Sequence, residues 1–197
     1  MAVEMLTPEM LIYAYAQGYF PMAEPDTGDV YWYDPDPRTI IPLDGLHVSR
    51  SLERLLRKNI FQISYDQCFT EVMRACAAPA PGRETTWIND ELIELYTALF
   101  NMGFAHSIEV WQDDCLVGGL YGVAIGGLFA GESMFSRVSN SSKVALVTLL
   151  RHLRQQGYSL FDVQFMTEHL RRFGAVEVSQ QTYKRKLAKA IRRRVSF

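Results

Sequence analysis

The chain has 197 residues, 48% of them hydrophobic, which suits one medium domain or a small lobe with a core domain and excludes disordered and fibrous classes. A formal net charge of −2 hides a polarity, because Lys184, Arg185, Lys186, Lys189, Arg192, Arg193 and Arg194 crowd into residues 184–194 with no acid among them. No run reaches the ~18 uninterrupted apolar residues of a membrane span, and MAVEMLTPEM lacks the basic and apolar regions of a signal peptide, so a cytoplasmic protein without membrane contact is expected.

Thr7-Pro8-Glu9 supplies a capping hydroxyl, a first-turn proline and an acid at the positive helix end, which predicts a helix over about 8–17 stopped by Gly18. Tyr19-Phe20-Pro21-Met22 then leads into a loop and a short aromatic strand, Tyr31-Trp32-Tyr33, closed by Asp34-Pro35-Asp36-Pro37-Arg38. The flat faces of Trp32 and Tyr33 suit stacking on a nucleobase as well as lobe packing. From Ser49, SRSLERLLRKN predicts a helix with Leu52, Leu55 and Leu56 buried and Arg50, Arg54, Arg57 and Lys58 gathered along one exposed face. That face is either a phosphate track or a solvated surface with Glu53 as a partial counter-charge. A boundary near 47–60 divides the chain into a small lobe, 1–60, and a core, 61–197.

A strand over 61–65, a helix capped by Asp66 and running to about 76, and a Pro/Gly loop over 78–86 bring the chain to Trp87. The next helix, about 90–102, buries Leu92, Tyr96 and Leu99 and ends at Gly103. Residues 105–112 and 115–123 form a hairpin across Asp113-Asp114. Cys68, Cys76 and Cys115 are odd in number and widely spaced among apolar residues, so they read as reduced core thiols and not as a disulfide or metal set.

A strand over 127–134 follows, where a period of two places Leu128, Ala130, Glu132 and Met134 on one face. A carboxylate among apolar groups has its pKa pushed up unless a cation holds it ionised, and Arg137 is near enough in sequence for a structural salt bridge. Ser136 to Lys143 opens a helix that runs to about Gln156 and is capped by Gly157. Its free amides, with Ser141, Ser142 and Arg137, suit a phosphate or carboxylate. A strand over 159–165 puts Leu160, Asp162 and Gln164 on one face; a short helix at 167–173, a turn at Gly174, a strand at 175–178 and the basic terminal helix complete the chain. His106 and His169 read as structural, and there is no Walker loop, dinucleotide fingerprint or Gly-x-Ser-x-Gly. Glu132, Asp162 and Gln164 are left as the candidates for chemistry.

HSIEVW at 106–111, LVGGLYG at 116–122, GESMFSR at 131–137 and SK at 142–143 resemble the leucyl/phenylalanyl-tRNA–protein transferase family. YFPM, DPDPR, HVSRSL, TWI, DVQF and EHLRRFGA extend the resemblance over nearly the whole chain, in order. It implies an α/β (α+β) fold: a small N-terminal lobe and a GNAT-like acyltransferase core with a mixed, mostly antiparallel sheet flanked by helices. It further implies transfer of leucine or phenylalanine, and methionine less readily, from leucyl-, phenylalanyl- or methionyl-tRNA to proteins with N-terminal arginine or lysine, marking them for N-degron degradation. Carried over by position, Glu132 and Met134 match the pocket motif, Leu120 and Phe129 match apolar pocket positions, and Leu149 stands where some members have phenylalanine. Asp162 and Gln164 match a relay in which Asp162 orients Gln164. Trp87 and Tyr96 match aromatic positions near the terminal adenosine, Tyr33 stands where some members have tryptophan, and Ser142 and Lys143 join Arg137 on the tRNA side. After Gly174, Val178-Ser179-Gln180 stands where many members have Ile-Pro-Arg.

No metal or redox cofactor is implied, since the tRNA ester is already activated. Two rivals stand beside this expectation. An acyl-coenzyme A enzyme of the same fold needs a glycine-rich pyrophosphate loop, and RVSNSSK has no glycine. A tRNA-binding adaptor uses the basic stripes but leaves Glu132, Asp162 and Gln164 without a role.

Overall fold

The computed structural model describes residues 6–80 and 84–197. In chain order the elements are α1 (Pro8–Gln17), a hairpin of β1 (Phe20–Ala23) and β2 (Val30–Tyr33), β3 (Arg38–Ile40), α2 (Arg50–Arg57), β4 (Gln62–Tyr65), α3 (Phe69–Ala77) and α4 (Asp90–Asn101). They continue with β5 (Ala105–Gln112), β6 (Cys115–Ile125), β7 (Leu128–Ser136), α5 (Ser141–Gln156), β8 (Leu160–Gln164), α6 (Glu168–Arg171), β9 (Val176–Val178) and α7 (Gln180–Ala190). Part of the expected 78–86 loop, residues 81–83, lies outside the described residues.

Seven strands form one sheet in the order β4-β5-β6-β7-β8-β3-β9, antiparallel throughout except for the parallel pair β7 and β8, which α5 connects. This is the mixed, mostly antiparallel sheet flanked by helices that was expected. One face buries Val72, Met73, Leu92, Tyr96 and Leu99 of α3 and α4, together with Leu11 and Tyr15 of α1. The other buries Val144, Val147, Leu150 and Leu153 of α5 against Leu120, Phe129 and Phe161. A smaller cluster joins Tyr183 and Leu187 of α7 to Ile40, Leu128 and Leu160. Residues 38–40, inside the segment expected as the lobe, pair as β3 between β8 and β9 in the core sheet.

Local signals set most element ends. Thr7 caps α1 by accepting from the Met10 amide at 3.3 Å, and Gly18 ends the helix at φ 93°, a left-handed conformation that suits glycine. Three expectations need correction. The stretch from Tyr19 to Met22, expected only as the lead into a loop, contributes a strand, because β1 pairs with the aromatic strand β2. Asp66 does not cap α3: it adopts φ 58°, and its carboxylate is taken by the Ser107 amide and His106 Nδ1, both at 2.8 Å. Cys115 is exposed at the end of the β5–β6 hairpin and is no core thiol, whereas Cys76 is buried.

The decisive departure is in β7. Tyr121 pairs with Ser133 and Gly122 with Gly131, so Glu132 has no partner on β6 and forms a β-bulge. The expected period of two therefore breaks there. Ala130 packs with the α3–α4 cluster, while Met134 packs on the α5 side with Leu120.

Candidate active site

The bulge aims the Glu132 carboxylate at side chains from three other elements. Gln164 Nε2 donates to Oε1 at 3.2 Å and the Tyr96 hydroxyl donates to Oε2 at 3.5 Å. The hydroxyls of Tyr15 and Tyr96 share a short hydrogen bond, and Tyr15 also bonds the carboxyl. Glu132 keeps some surface toward a pocket, yet desolvation of its carboxylate dominates and pushes its pKa up to about 8, with Asp162 adding repulsion. Bonds from Tyr15 and Tyr96 and the charge of Arg38 oppose the rise. Burial and the nearby Glu132 hold both phenols well above their ordinary range, so they serve as proton-bearing donors. The expected Arg137 salt bridge is not formed: Arg137 is exposed, donates to the Leu116 carbonyl at 2.9 Å and lies 5.3 Å over the Phe135 ring.

Asp162 is wholly enclosed. Arg38 Nη2 lies 2.6 Å from Oδ2, Arg38 Nε donates to Oδ1 at 3.0 Å, the Tyr183 hydroxyl donates to Oδ2 at 2.8 Å and the Gln164 amide donates to Oδ1 at 3.0 Å. Both ion-pair partners are 0% exposed. Arg38 also donates to the Gly18 carbonyl at 3.0 Å and sits between the rings of Phe20 and Tyr183. The carboxylate thus spends its acceptor capacity on fixed partners, one of which holds Gln164 at φ 60°. A non-glycine residue in that conformation costs of order 1–3 kcal/mol, so the surrounding bonds maintain it. Through this backbone turn Asp162 orients the Gln164 amide toward Glu132.

Beside Glu132 and Gln164 opens a cavity of about 80 Å³ lined by Leu120, Met134, Leu149, Phe161 and Val163. Of the expected pocket residues, Leu120, Met134, Leu149 and the Glu132 stem are present. Phe129 is a correction: its fully buried ring folds onto side-chain-free Gly122 and packs behind Phe161, with centroids 6.1 Å apart. Phe161 and Val163 were missed because β8 reads as a uniformly apolar strand interrupted only by its polar residues.

The aromatic set divides. Tyr96 is fully enclosed and edge-on to Tyr121 at 5.6 Å, so it supports Glu132 and offers no face to an adenosine. Trp32 and Tyr33 point to opposite sides of their hairpin. Tyr33 stacks on Phe20 at 5.9 Å, near Phe165, whereas Trp32 lines a groove with Tyr13 and Tyr19. Trp87 is half-buried beside β1, its carbonyl accepting from the Ala23 amide at 3.1 Å. Arg50, Arg54 and Arg57 lie along α2 with Lys58 at its end, and all four are exposed. At the start of α5, Ser142 is half-buried and Lys143 reaches Asn140 Oδ1 at 3.0 Å. Ser141 is withdrawn from any anion role, since it is buried and bonds the Val117 carbonyl at 2.9 Å. Tyr15, Arg38 and Tyr183 were missed. The available signals were an arginine opening a short apolar stretch after DPDP, and a tyrosine four residues after Leu11 on the buried face of α1.

Comparison with known proteins identifies the family. Residues 40–188 match the leucyl/phenylalanyl-tRNA protein transferase family and residues 4–36 match its N-terminal domain. A leucyl/phenylalanyl-tRNA–protein transferase of Rhodospirillum rubrum is 55% identical over 187 residues, spanning 94% of this chain and 88% of the relative. One from Herpetosiphon aurantiacus is 53% identical over 193 residues, 98% of each chain. Among solved structures, FemX overlays with a TM-score of 0.54 at 12% identity, covering 86% of this chain and 66% of FemX. L-PGS from Bacillus licheniformis overlays at 0.51, also at 12% identity, covering 94% of this chain and 71% of that one; both likenesses concern the fold alone. The chain belongs to the leucyl/phenylalanyl-tRNA–protein transferase family, enzymes that transfer an amino acid from aminoacyl-tRNA to protein.

Proposed function

We propose that the donor amino acid is leucine or phenylalanine, and methionine less readily, and that the acceptor is the α-amine of a cytoplasmic protein beginning with arginine or lysine, which is thereby marked for N-degron degradation. The observation that carries this reading is the apolar cavity closed by one hydrogen-bonded carboxyl, Glu132, with Gln164 beside it. Leu120, Leu149 and Phe161 suit an apolar side chain, and the flexible Met134 adapts to unbranched, γ-branched or aromatic ones. A β-branched side chain is stiff next to the reacting carbonyl and crowds the entrance. Valyl-tRNA is therefore expected to lose to leucyl-tRNA by roughly 1 to 3 kcal/mol in kcat/KM, the usual worth of a methyl group in an apolar pocket. Equal rates from the two donors would remove this pocket assignment.

The tRNA supplies an activated ester, so the protein must present a neutral amine to it. The amine nitrogen attacks the ester carbonyl carbon, the C–N bond forms, the C–O bond to the terminal ribose breaks, and one proton passes from the amine to the departing ribose oxygen. Glu132 is the group we assign to carry that proton. The ammonium must first lose a separate proton to become that neutral amine; an α-amine ordinarily titrates at about 7.7 to 8.0, close to the Glu132 carboxyl at about 8, so the ionised carboxylate can take this first proton too without a large step. Asp162, saturated by Arg38 and Tyr183, acts as a positioning residue for Gln164, and Gln164 holds the amine or ester in attack geometry.

Charge supports the choice of acceptor. Residues 6–37 contain six acids and no lysine or arginine; Asp34 is paired with Lys184, and the exposed Glu9, Glu24, Asp26, Asp29 and Asp36 favour a cationic N-terminal residue. The cations of α2 suit the tRNA. Replacing Arg50, Arg54 and Arg57 by alanine is expected to weaken tRNA binding and to flatten its salt dependence by roughly 0.7 to 0.9 in slope for every phosphate no longer neutralised; an unchanged slope removes α2 from the interface. Acceptor choice is tested with one protein bearing N-terminal arginine, lysine or alanine. Arginine and lysine should accept leucine and alanine should not, and equal acceptance by all three would overturn the assignment.

A further inference from the structure

We propose that the outward face of α7, continued by Arg154 near the end of α5, is a second phosphate track that grips aminoacyl-tRNA in addition to α2. The proposal rests on the reading that aminoacyl-tRNA is the donor. Helix α7 turns Tyr183, Leu187 and Ala190 into the core and, with the turn that follows it, leaves Arg185, Lys186, Lys189 and Arg192 exposed along one shallow groove. The spacing of 185 and 189 keeps these two cations on one helical face, and Arg192 follows in the turn after the helix. Among the described residues no ion pair engages any of the four; the pair made by α7 is that of Lys184 with Asp34 at 2.7 Å. No acid occurs anywhere from Gln180 onward.

A second observation extends the track beyond the helix. Lys186 and Arg154 line one cleft, floored by Ile40 to Leu43 and the start of β8, in which Asp44 is the single carboxylate. One turn earlier on α5, Arg151 binds Glu53 of α2 at 2.6 Å, which links α5 to the helix that carries Arg50, Arg54, Arg57 and Lys58. The surface cations thus pass from α2 across α5 to α7.

Crowded like charges repel one another and are relieved by a polyanion that spans them. Cations near a helix C-terminus can instead offset the helix dipole, but that effect is confined to the last turn, and Arg185 and Lys186 lie in the middle of α7. A lipid surface is disfavoured as the partner. A membrane-surface helix must offer its apolar face to the bilayer, and α7 has already buried that face against Ile40, Leu128 and Leu160.

The test uses the full chain carrying Arg185→Ala, Lys186→Ala, Lys189→Ala and Arg192→Ala together. Alanine at exposed helical positions supports the helix, and a second variant, Arg154→Gln with Lys186→Gln, removes the shared cleft's cations at similar side-chain size. Leucyl-tRNA binding is measured over a salt series, transfer kinetics with leucyl-tRNA as varied substrate, and binding to phosphatidylglycerol vesicles in parallel. For the fourfold variant the salt slope should fall by roughly 0.7 to 0.9 for each phosphate that the helix no longer neutralises. KM for leucyl-tRNA should rise about tenfold or more while kcat at saturating tRNA changes little, because binding and not chemistry is altered. The cleft variant should show part of the same loss. Unchanged slope and KM would overturn the track, as would loss of vesicle binding with tRNA binding intact. If the unaltered protein bound leucyl-tRNA through this face but transferred no leucine, the track would stand and the transferase reading would fail.

Discussion

Glu132→Gln is expected to slow transfer by roughly 10²- to 10⁴-fold, the range of a positioned general base, with little change in affinity for aminoacyl-tRNA. Glutamine keeps the size of the side chain and an acceptor for Tyr96, so the pocket persists while the group that takes the amine proton is gone. Single-turnover rates with saturating leucyl-tRNA measure the loss, and a variant as fast as the parent would end the role given to Glu132. The same substitution has a stability signature whose sign is fixed. The carboxyl ordinarily titrates at 4.5 and is raised to about 8 in the fold, so over that window the folded state holds more protons than the unfolded one. Its contribution to stability is therefore lost as pH rises from about 4.5 through about 8. The Glu132→Gln variant lacks that slope, so its melting temperature should gain on the parent's as pH approaches 8.

Asp162→Asn is expected to unfold the site and not merely to slow it. Removing one partner of a buried ion pair leaves Arg38 uncompensated in the core, which costs about 3 to 5 kcal/mol and should lower the melting temperature by many degrees. The change also weakens the bond that keeps Gln164 in its left-handed conformation, so the residual folded protein should transfer slowly. Arg38→Met should destabilise for the same reason from the other side. Combining Arg38→Met with Asp162→Asn should recover part of the loss, since neither charge is then stranded. Denaturant midpoints measure all three, and an Asp162→Asn protein with parental stability and slowed turnover would return Asp162 to the proton path.

Features set by neighbours in sequence were legible. Thr7 and Gly18 mark both ends of α1, Gly157 marks the end of α5, and Asp113-Asp114 takes the left-handed backbone that a tight hairpin needs. Glu132, Asp162 and Gln164 were legible as polar residues in apolar strands, and the family motifs gave them roles. Their partners were not legible, because Arg38 meets Asp162 across 124 positions and Tyr15 meets Tyr96 across 81. No periodicity carries such a pairing. The bulge at Glu132 was hidden for a different reason: one inserted residue leaves composition and propensity unchanged yet moves Met134 to the opposite face from Ala130. Phe129 was expected in the pocket from position alone, and Gly122, by leaving room for its ring, draws it into the layer behind.

Whether this chain performs the transfer, and does more than hold charged tRNA, is tested most directly by mass spectrometry of an acceptor protein with N-terminal arginine after incubation with the purified chain and leucyl-tRNA. One leucine should be added to the α-amine, and none when that amine is acetylated beforehand. An acceptor of unchanged mass, from a protein that binds leucyl-tRNA and is correctly folded, would contradict this transfer.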